Sequence, residues 1–376
     1  MKMRRKNTIR MLVLALLAVS MLSSSSSAAM SKTRLIASDG EIGDFLGTSV
    51  SISEDTMVVG AINDSRLKGS VYVFVRSGGV WEQQQKLAAI GGETGDLFGQ
   101  SVSISGDTIV IGAERDDGKG SVYVFVRNSN GVWTEQQKLI ASDGTAGDTF
   151  GTSVRIHRDT IHGDTIVVGA GRINDKGSAY VFVRNSNGIW TEQQKLTASD
   201  GAAGDYFGYS VGIHGDTIVV GAYLDDSNKG AAYVFVRNIN GIWTEQQKLT
   251  ASDGVAYDYF GASVSISDST IVVGADGLPP GRAFVFIRSG NVWTEQLRLT
   301  ERYNLDSVFF GYSVSIFGDT IAVGMPGDDF GIGSVYVFAP EGQPPPNLSV
   351  PEFPTVALPV IAVIGLMFVF QRRKGN

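Results

Sequence analysis

The sequence contains six copies of one unit, and this repetition restricts the fold more than any other feature of its 376 residues. A Gly-x-Ser-Val step recurs every 50 to 57 residues, beginning at Gly47, Gly99, Gly151, Gly208, Gly261 and Gly311. The 5 tryptophans keep the same period, at Trp81, Trp133, Trp190, Trp243 and Trp293. Each copy is therefore one supersecondary unit that buries its apolar residues against its neighbours.

Every copy holds four segments with the composition and alternation of β-strands. In the fourth copy these are residues 207–214, 216–222, 232–237 and 242–249. Asn240-Gly241 predicts a two-residue hairpin between the last two strands, and Gly215-Asp216 predicts a tight turn between the first two. The pattern predicts an all-β, six-bladed β-propeller of four-stranded antiparallel blades. A β-solenoid is the alternative, although its repeats are usually shorter.

The two ends of the repeat region predict how the ring closes. The last copy stops at Gly333–Phe338 and lacks the fourth strand that contains tryptophan in the other copies. Thr33–Ser38, which precedes the first copy, has the same pattern as Lys195–Ser199, which follows a fourth strand. We therefore expect the N-terminal strand to close the last blade and to remove two sheet edges.

The units resemble FG-GAP repeats, the family that forms the propeller of integrin α-subunits. The residues that carry the resemblance are Phe98-Gly99 with Gly112-Ala113, Phe150-Gly151 with Gly169-Ala170, Phe207-Gly208 with Gly221-Ala222, Phe260-Gly261 with Gly274-Ala275, and Phe310-Gly311 with Gly324. The first unit has Leu46-Gly47, and only the sixth retains the motif's proline, as Pro326. The resemblance covers residues 33–340 and implies a propeller that acts in adhesion or recognition.

One feature departs from the family's pattern. FG-GAP units often carry a calcium loop between their first two strands, whereas here that connection is Ser105–Thr108 or an equivalent. A calcium loop spreads several oxygen ligands over about a dozen residues, so this turn is too short to supply them. We therefore predict no cofactor, and family-style calcium binding is in doubt at all six positions.

The termini are predicted to be targeting segments. Residues 1–29 combine a basic start, an apolar run and small residues before the cleavage point, as in a secretory signal peptide. An uncleaved membrane anchor is the alternative. The predicted organisation is a signal peptide at 1–29, the propeller at 30–340, a Pro-rich linker with a sorting motif at 341–352, and a transmembrane or sorting segment with a basic tail at 353–376.

The C-terminal segment resembles the PEF-CTERM sorting signal of archaeal surface proteins. Pro351, Glu352 and Phe353 precede an apolar run from Thr355 to Phe370, and a basic cluster follows. The resemblance implies processing by an archaeosortase-type enzyme and transfer to a lipid-linked anchor. An ordinary single-pass transmembrane helix is the alternative, and the basic cluster would keep its end cytoplasmic. Both interpretations predict a cell-surface protein anchored to the membrane at its C-terminus.

Composition excludes several classes of function. The net charge of −7 argues against nucleic acid as a partner, because phosphate binding needs a basic surface. The absence of cysteine excludes a disulfide framework, a cysteine zinc site and a cysteine nucleophile. The three histidines predict no metal site, because His214 lies one blade away from His157 and His162. Asn63 and Asn347 are in glycosylation sequons.

We expect a ligand on the propeller face that carries the variable loops between second and third strands. The candidate residues there are the acids Asp116, Asp117, Asp225, Asp226, Asp328 and Asp329. Solvated loop acids are the alternative interpretation. We predict no catalytic residue, since the sequence shows no unique cluster of acids and aromatics at the channel mouth.

The predicted function is adhesion or recognition, through binding of an extracellular protein or glycan. A structural role in the cell envelope or matrix is the main alternative, because near-identical blades suit a repeated tile. A polysaccharide-active enzyme is a further alternative.

Overall fold

A computed structural model describes residues 34–160, 162–171, 176–301, 309–328 and 333–339. Within these residues, the strands form six antiparallel sheets, one for each copy of the repeat. The strands of each sheet are neighbours in space in the order in which they occur in the chain. The predicted all-β, six-bladed propeller is confirmed.

The blades follow one another along the chain. Blade 1 contains β1 (Leu46–Ser53), β2 (Thr56–Ala61), β3 (Ser70–Ser77) and β4 (Val80–Leu87). Blade 2 contains β5 (Ser101–Ser105), β6 (Thr108–Ala113), β7 (Ser121–Arg127) and β8 (Trp133–Leu139). Blade 3 contains β9 (Phe150–His157), β10 (Thr165–Ala170), β11 (Ser178–Arg184) and β12 (Trp190–Leu196).

The second half repeats this arrangement. Blade 4 contains β13 (Phe207–His214), β14 (Thr217–Ala222), β15 (Ala231–Arg237) and β16 (Trp243–Leu249). Blade 5 contains β17 (Phe260–Ser267), β18 (Thr270–Ala275), β19 (Arg282–Ser289) and β20 (Val292–Leu299). Blade 6 contains β21 (Ser313–Phe317), β22 (Thr320–Met325) and β23 (Ser334–Phe338). Single helical turns follow the second strands of blades 1, 2 and 4: α1 (Asp64–Leu67), a 3-10 turn (Asp116–Gly118) and α2 (Asp225–Asn228).

The first strand of each blade is its innermost strand. First strands of consecutive blades contact one another in series from β1 to β21. The turn from first to second strand has two residues in blades 1, 2, 4, 5 and 6, as the pairing of Ser105 with Thr108 shows for blade 2. The predicted short turn is therefore present in these five blades. Blade 3 has a longer connection, between His157 and Thr165.

The Phe-Gly and Gly-Ala motifs exist because neighbouring blades approach closely. A Cβ atom on Gly112 of blade 2 would lie 2.0 Å from the carbonyl oxygen of Gly151 in blade 3. The Ser101 hydroxyl donates a hydrogen bond to the same oxygen, at 2.8 Å. Equivalent serine bonds join every consecutive pair from blade 1 to blade 6, donated by Ser49, Ser153, Ser210 and Ser263. Only glycine fits this contact.

A second contact joins the outer strands. The side-chain amide of Gln137 donates to the carbonyl oxygen of Trp190 at 2.8 Å, and its oxygen accepts from the Trp190 N–H at 2.9 Å. The glutamine side chain thus makes the two backbone hydrogen bonds to Trp190 that a residue of a neighbouring strand would make. The same pair of bonds links Gln85 to Trp133, Gln194 to Trp243, and Gln247 to Trp293. These four tryptophans are buried in the cores between blades.

Closure by an N-terminal strand stays a prediction. Among the described residues, blade 6 has three strands, and Leu35–Ser38 belong to no strand. Leu35 and Ala37 nevertheless pack on blade 1 as Leu139 and Ala141 pack on blade 3. The predicted signal peptide, linker, sorting motif and transmembrane segment lie outside the described residues. No helix within the described ranges is both long and apolar enough to cross a membrane.

Candidate functional site

A funnel of about 330 Å³ lies at the centre of the propeller, lined by residues of blades 2 to 6. It opens where first strands begin and second strands end. That face also carries the loops between second and third strands. The funnel therefore lies on the face where the sequence predicts ligand binding.

Three positions of the repeat contribute to the funnel wall, and blades 3 and 4 supply all three. They are the residue before Phe-Gly, the variable residue of Gly-x-Ser-Val, and the residue that follows the second strand. In blade 4 they are Tyr206, Tyr209 and Tyr223, whereas in blade 3 they are Thr149, Thr152 and Gly171. The Phe-Gly and Gly-Ala residues between blades 2 to 5 repeat unchanged, whereas the residues at these three positions differ from blade to blade.

The blade 4 side of the funnel is a cluster of tyrosines. The ring centroids of Tyr209 and Tyr223 are 4.4 Å apart, and Tyr206 contacts Tyr223 edge to face at 5.6 Å. Tyr259 of blade 5 contacts Tyr223 at 5.7 Å. Tyr312 of blade 6 lines the funnel together with the three tyrosines of blade 4, and Tyr209 and Tyr312 are 41% and 39% exposed. The cluster offers aromatic faces and phenol hydroxyls to one ligand.

Backbone geometry directs part of this wall. Tyr206 has φ 56°, in the left-handed region that bulky residues rarely adopt. The Tyr209 N–H donates to the Tyr206 carbonyl oxygen at 3.2 Å, which closes a turn across Phe207-Gly208. The residue before the Phe-Gly pair has the same left-handed backbone in the other blades, where blade 1 has Leu46-Gly47 instead. These residues are Phe45, Leu97, Thr149, Tyr259 and Phe309. The repeat therefore fixes the turn, and the residue type at this position decides what faces the funnel.

Charged groups complete the lining. Asp276 and Glu114 line the funnel beside Arg115. Burial raises the pKa of the Asp276 carboxyl to about 6. Burial also raises the pKa of the Tyr209 phenol, with smaller contributions from Tyr312 and Tyr223. At neutral pH the Tyr209 phenol is therefore neutral, and it can both donate and accept hydrogen bonds.

Comparison with known families decides what this propeller is. The FG-GAP repeat model matches residues 30–74, 81–125, 133–182, 190–235, 243–286 and 293–338, well over half of the chain. The chain belongs to the FG-GAP repeat family. Residues 350–374 match the PEF-CTERM archaeal protein sorting domain, which here includes Pro351, Glu352 and Phe353. Both resemblances stated from the sequence are confirmed.

Several integrins are relatives of this FG-GAP propeller. Human integrin alpha-11 is 29% identical over 246 residues, which are 58% of this chain and 20% of that protein. Integrin alpha-3 of Cricetulus griseus is 25% identical over 55% of this chain and 21% of its own length. The chain thus spans about a fifth of these relatives. The solved structure of YjhT aligns with a TM-score of 0.43 and 13% identity, over 78% of this chain and 95% of that one.

Among the predicted acids that the structure describes, none lines the FG-GAP propeller's funnel. Asp116 is buried, and it accepts hydrogen bonds from the Tyr123 hydroxyl at 2.6 Å and from Lys138 Nζ at 2.8 Å. Asp225 is buried in the same way, between Tyr233 and Lys248. These two carboxylates are occupied within the chain, because a tyrosine and a lysine from neighbouring strands enclose each one.

The remaining acids differ from one another. Asp117 and Asp226 are exposed on the loops, with ion pairs to Lys138 at 3.0 Å and Lys229 at 2.9 Å. Asp328 accepts a hydrogen bond from the Tyr336 hydroxyl at 3.3 Å. Asp329 lies outside the described residues. Ligand contact through these six acids stays a prediction, and Asp117 and Asp226 are the exposed ones among those that the structure describes.

The histidines lie closer together than the sequence argument assumed. The rings of His157 and His214 are 5.5 Å apart, because the first strands of adjacent blades run side by side. His162 Nδ1 lies 3.0 Å from Asp159 and 3.6 Å from Asp216, in a group whose spacing would suit a metal ion. The buried Arg237 guanidinium lies 2.8 Å from Asp159 and 2.7 Å from Asp216, so it already supplies positive charge there.

Sequence reasoning missed the tyrosine cluster and stated that no group of acids and aromatics lies at the channel mouth. The structure corrects this, since Tyr206, Tyr209, Tyr223 and Tyr312 line one funnel with Asp276. A signal was present in the sequence. The residue type varies at the three wall positions, whereas the adjacent Phe-Gly, Ser-Val and Gly-Ala residues repeat in nearly every copy.

Proposed function

We propose that this protein is an exported, membrane-anchored FG-GAP propeller of the cell surface that acts in recognition or adhesion. The family match, the sorting-domain match and the signal-like residues 1–29 support this. We propose an archaeosortase-type enzyme as the partner that processes the chain at Pro351, Glu352 and Phe353. Catalytic activity is not part of the proposal.

The tyrosine-lined funnel is the observation that carries the recognition role. A structural tile needs no divergence between blades, yet the blades differ at the funnel wall, where blade 4 has three tyrosines and blade 3 has Thr149, Thr152 and Gly171. Aromatic faces beside carboxylates and phenols suit a sugar, which presents apolar C–H faces and hydroxyls together. We therefore favour a glycan in the funnel over a protein, with Asp117 and Asp226 as outer contacts to a larger ligand.

A glycan array followed by titration calorimetry tests this proposal. The purified full chain in detergent is applied to the array, and the affinity for each positive glycan is then measured. We expect Tyr209→Ala and Tyr312→Ala each to weaken binding on the order of tenfold, as for truncation of central aromatic contacts. Phe317→Ala is the matched control, since this exposed aromatic lies at the turn on the opposite face. Binding that survives both tyrosine substitutions would place the ligand elsewhere.

Two other outcomes separate the alternatives. Ordered self-assembly without a ligand, together with a blank array, favours an envelope tile. Release of new sugar ends from a polysaccharide favours an enzyme, and the raised pKa of Asp276 then makes that carboxyl the first candidate acid. Loss of such turnover in Asp276→Asn distinguishes the enzyme from a contaminant.

A further inference from the structure

One position in the innermost strands joins neighbouring blades through a serine. The Ser103 hydroxyl oxygen of blade 2 accepts a hydrogen bond from the Ile156 N–H of blade 3 at 3.2 Å. Ser51 and Ser265 accept from Ile104 and Ile316 in the same way, each at 3.2 Å. A residue at this position therefore projects toward the innermost strand of the following blade and offers it an acceptor.

Blade 3 carries Arg155 at this position. The Arg155 side chain is buried, with only 3% of the residue exposed. Its Nη1 and Nη2 atoms have no hydrogen-bond partner in the part of the chain that the structure describes. Burial lowers the pKa of the guanidinium to about 9, and no carboxylate opposes this effect. An unpaired charge in such a place is strongly unfavourable unless something compensates it.

The surroundings of Arg155 supply a further donor. Arginine has no acceptor atom, so Ile213 of blade 4 receives no acceptor from this position. Gly212 holds the same position in blade 4, and it likewise offers none to Ile266 of blade 5. A Cβ atom on Gly212 would lie 3.4 Å from Ile266 Cγ2, so the glycine leaves no more than the space of a methyl group between blades 4 and 5. Compared with serine at both positions, Arg155 and Gly212 remove two acceptors and add one cation.

We infer that Arg155 holds a small monovalent anion, a halide or a carboxylate group, between the innermost strands of blades 3 and 4. One negative charge balances the single guanidinium, and the amide N–H group of Ile213 lies on the blade 4 strand that follows Arg155. A dianion would leave a net charge in the same buried space. This site lies deeper than the tyrosine funnel, and it does not depend on the proposed function.

Thermal unfolding of the full chain in detergent tests the inference. Sodium bromide is titrated against sodium sulfate at constant ionic strength, and a second series uses acetate. A ligand that binds only the folded state raises Tm with concentration, on the order of 2 °C for each tenfold increase above Kd. A response to bromide alone identifies a free halide, and a response to acetate identifies a carboxylate site.

Matched variants make the result specific. Arg155→Ser installs the residue that four other blades carry here, so it preserves the fold and should abolish the bromide and acetate response. Arg158→Ser removes the same charge from an exposed position of the same blade and should keep the response. Bromide located by anomalous diffraction should lie within hydrogen-bonding distance of Arg155 Nη1 or Nη2. Equal responses in the wild type and Arg155→Ser, or no response in either, would overturn the inference.

Discussion

At the residue scale, the interior near the propeller axis holds two ionisable groups, Asp276 and Arg155, whose pKa values are shifted by burial. Arg155 has no charged equivalent in the other blades, and the acidic equivalent of Asp276 is Glu114. Burial raises the pKa of Asp276 and lowers the pKa of Arg155, so the charged form of each group is less favourable than in water. Groups of this type mark functional positions more often than repeated structural residues do.

Replacing Asp276 with asparagine should stabilise the protein in a pH-dependent manner. The carboxyl pKa is about 6 in the folded state and 3.8 without burial, so ionisation disfavours folding between about pH 4 and pH 6. The unfolding free energy of the wild type therefore loses this contribution as the pH rises through that range. We expect Asp276→Asn to be more stable than the wild type at pH 7.5, by about 1–3 kcal/mol.

Chemical denaturation at pH 4.0 and pH 7.5 measures the effect. The two proteins should have nearly equal stability at pH 4.0, because the folded-state carboxyl is then protonated and the pH is only just above the pKa of 3.8 that the carboxyl has without burial. A stability difference that is the same at the two pH values would contradict the assigned cause.

At the element scale, the sheets are joined by short contacts that repeat from blade to blade. Gly112 lies against the carbonyl oxygen of Gly151, and Gln137 holds the backbone of Trp190. Blade 5 has Leu297 where the other blades carry this glutamine, and blade 6 has no tryptophan for a glutamine to hold. The glutamine of blade 5 and the tryptophan of blade 6, which would have formed this contact, are thus both absent.

Gly112→Ala should destabilise the propeller by about 3 kcal/mol or more, because the added methyl group would overlap the Gly151 carbonyl oxygen at 2.0 Å. The backbones of blades 2 and 3 would have to separate, and the Ser101 hydrogen bond would be lost. Gly171→Ala is the matched control, since a Cβ atom there meets only ordinary contacts at 3.8 Å and beyond. Equilibrium unfolding of both variants measures the difference, and similar stabilities would show that the blades separate easily.

At the scale of the whole molecule, the junction between the last blade and the first differs from the other five. Val337 is 60% exposed, whereas its equivalents Val124 and Val234 are fully buried. Trp81 is half-buried, unlike the other tryptophans. The Ser38 N–H donates to the Gln83 side chain at 2.8 Å, as the Ser142 N–H donates to Glu192 at the junction between blades 2 and 3. The segment before blade 1 therefore makes the same hydrogen bond to blade 1 that the connection after blade 2 makes to blade 3.

Closure by an N-terminal strand predicts a specific cross-link. By the register in which Val124 faces Gln137, Val337 of blade 6 should face Thr33. Directly opposite strand residues have Cα atoms within the range of a disulfide, and the chain has no other cysteine to compete. We expect Thr33→Cys with Val337→Cys to form a disulfide on mild oxidation, seen as a mobility shift and a peptide pair by mass spectrometry.

A matched control uses Thr33→Cys with Phe317→Cys, which lies at a turn on the opposite face. This pair should remain reduced under the same conditions. Equal oxidation of both pairs would argue against the predicted register.

The sequence alone determined the number of blades, the order of strands and the residues between blades. These features follow from local periodicity, turn chemistry and a motif repeated six times, so each copy supports the interpretation of the others. The family and the sorting tail were likewise readable, because their motifs are short and contiguous.

Only the tertiary structure decided which residues meet at the axis. Tyr209 and Tyr312 are about a hundred residues apart, yet they line one funnel because blades 4 and 6 face it together. Asp116 resembled a free loop acid until Tyr123 and Lys138 enclosed it. In the sequence, Arg155 is one of many differences between repeats. The structure shows that its guanidinium is buried and that Nη1 and Nη2 have no hydrogen-bond partner among the described residues. Contacts between distant residues depend on how the blades pack, and no local pattern encodes them.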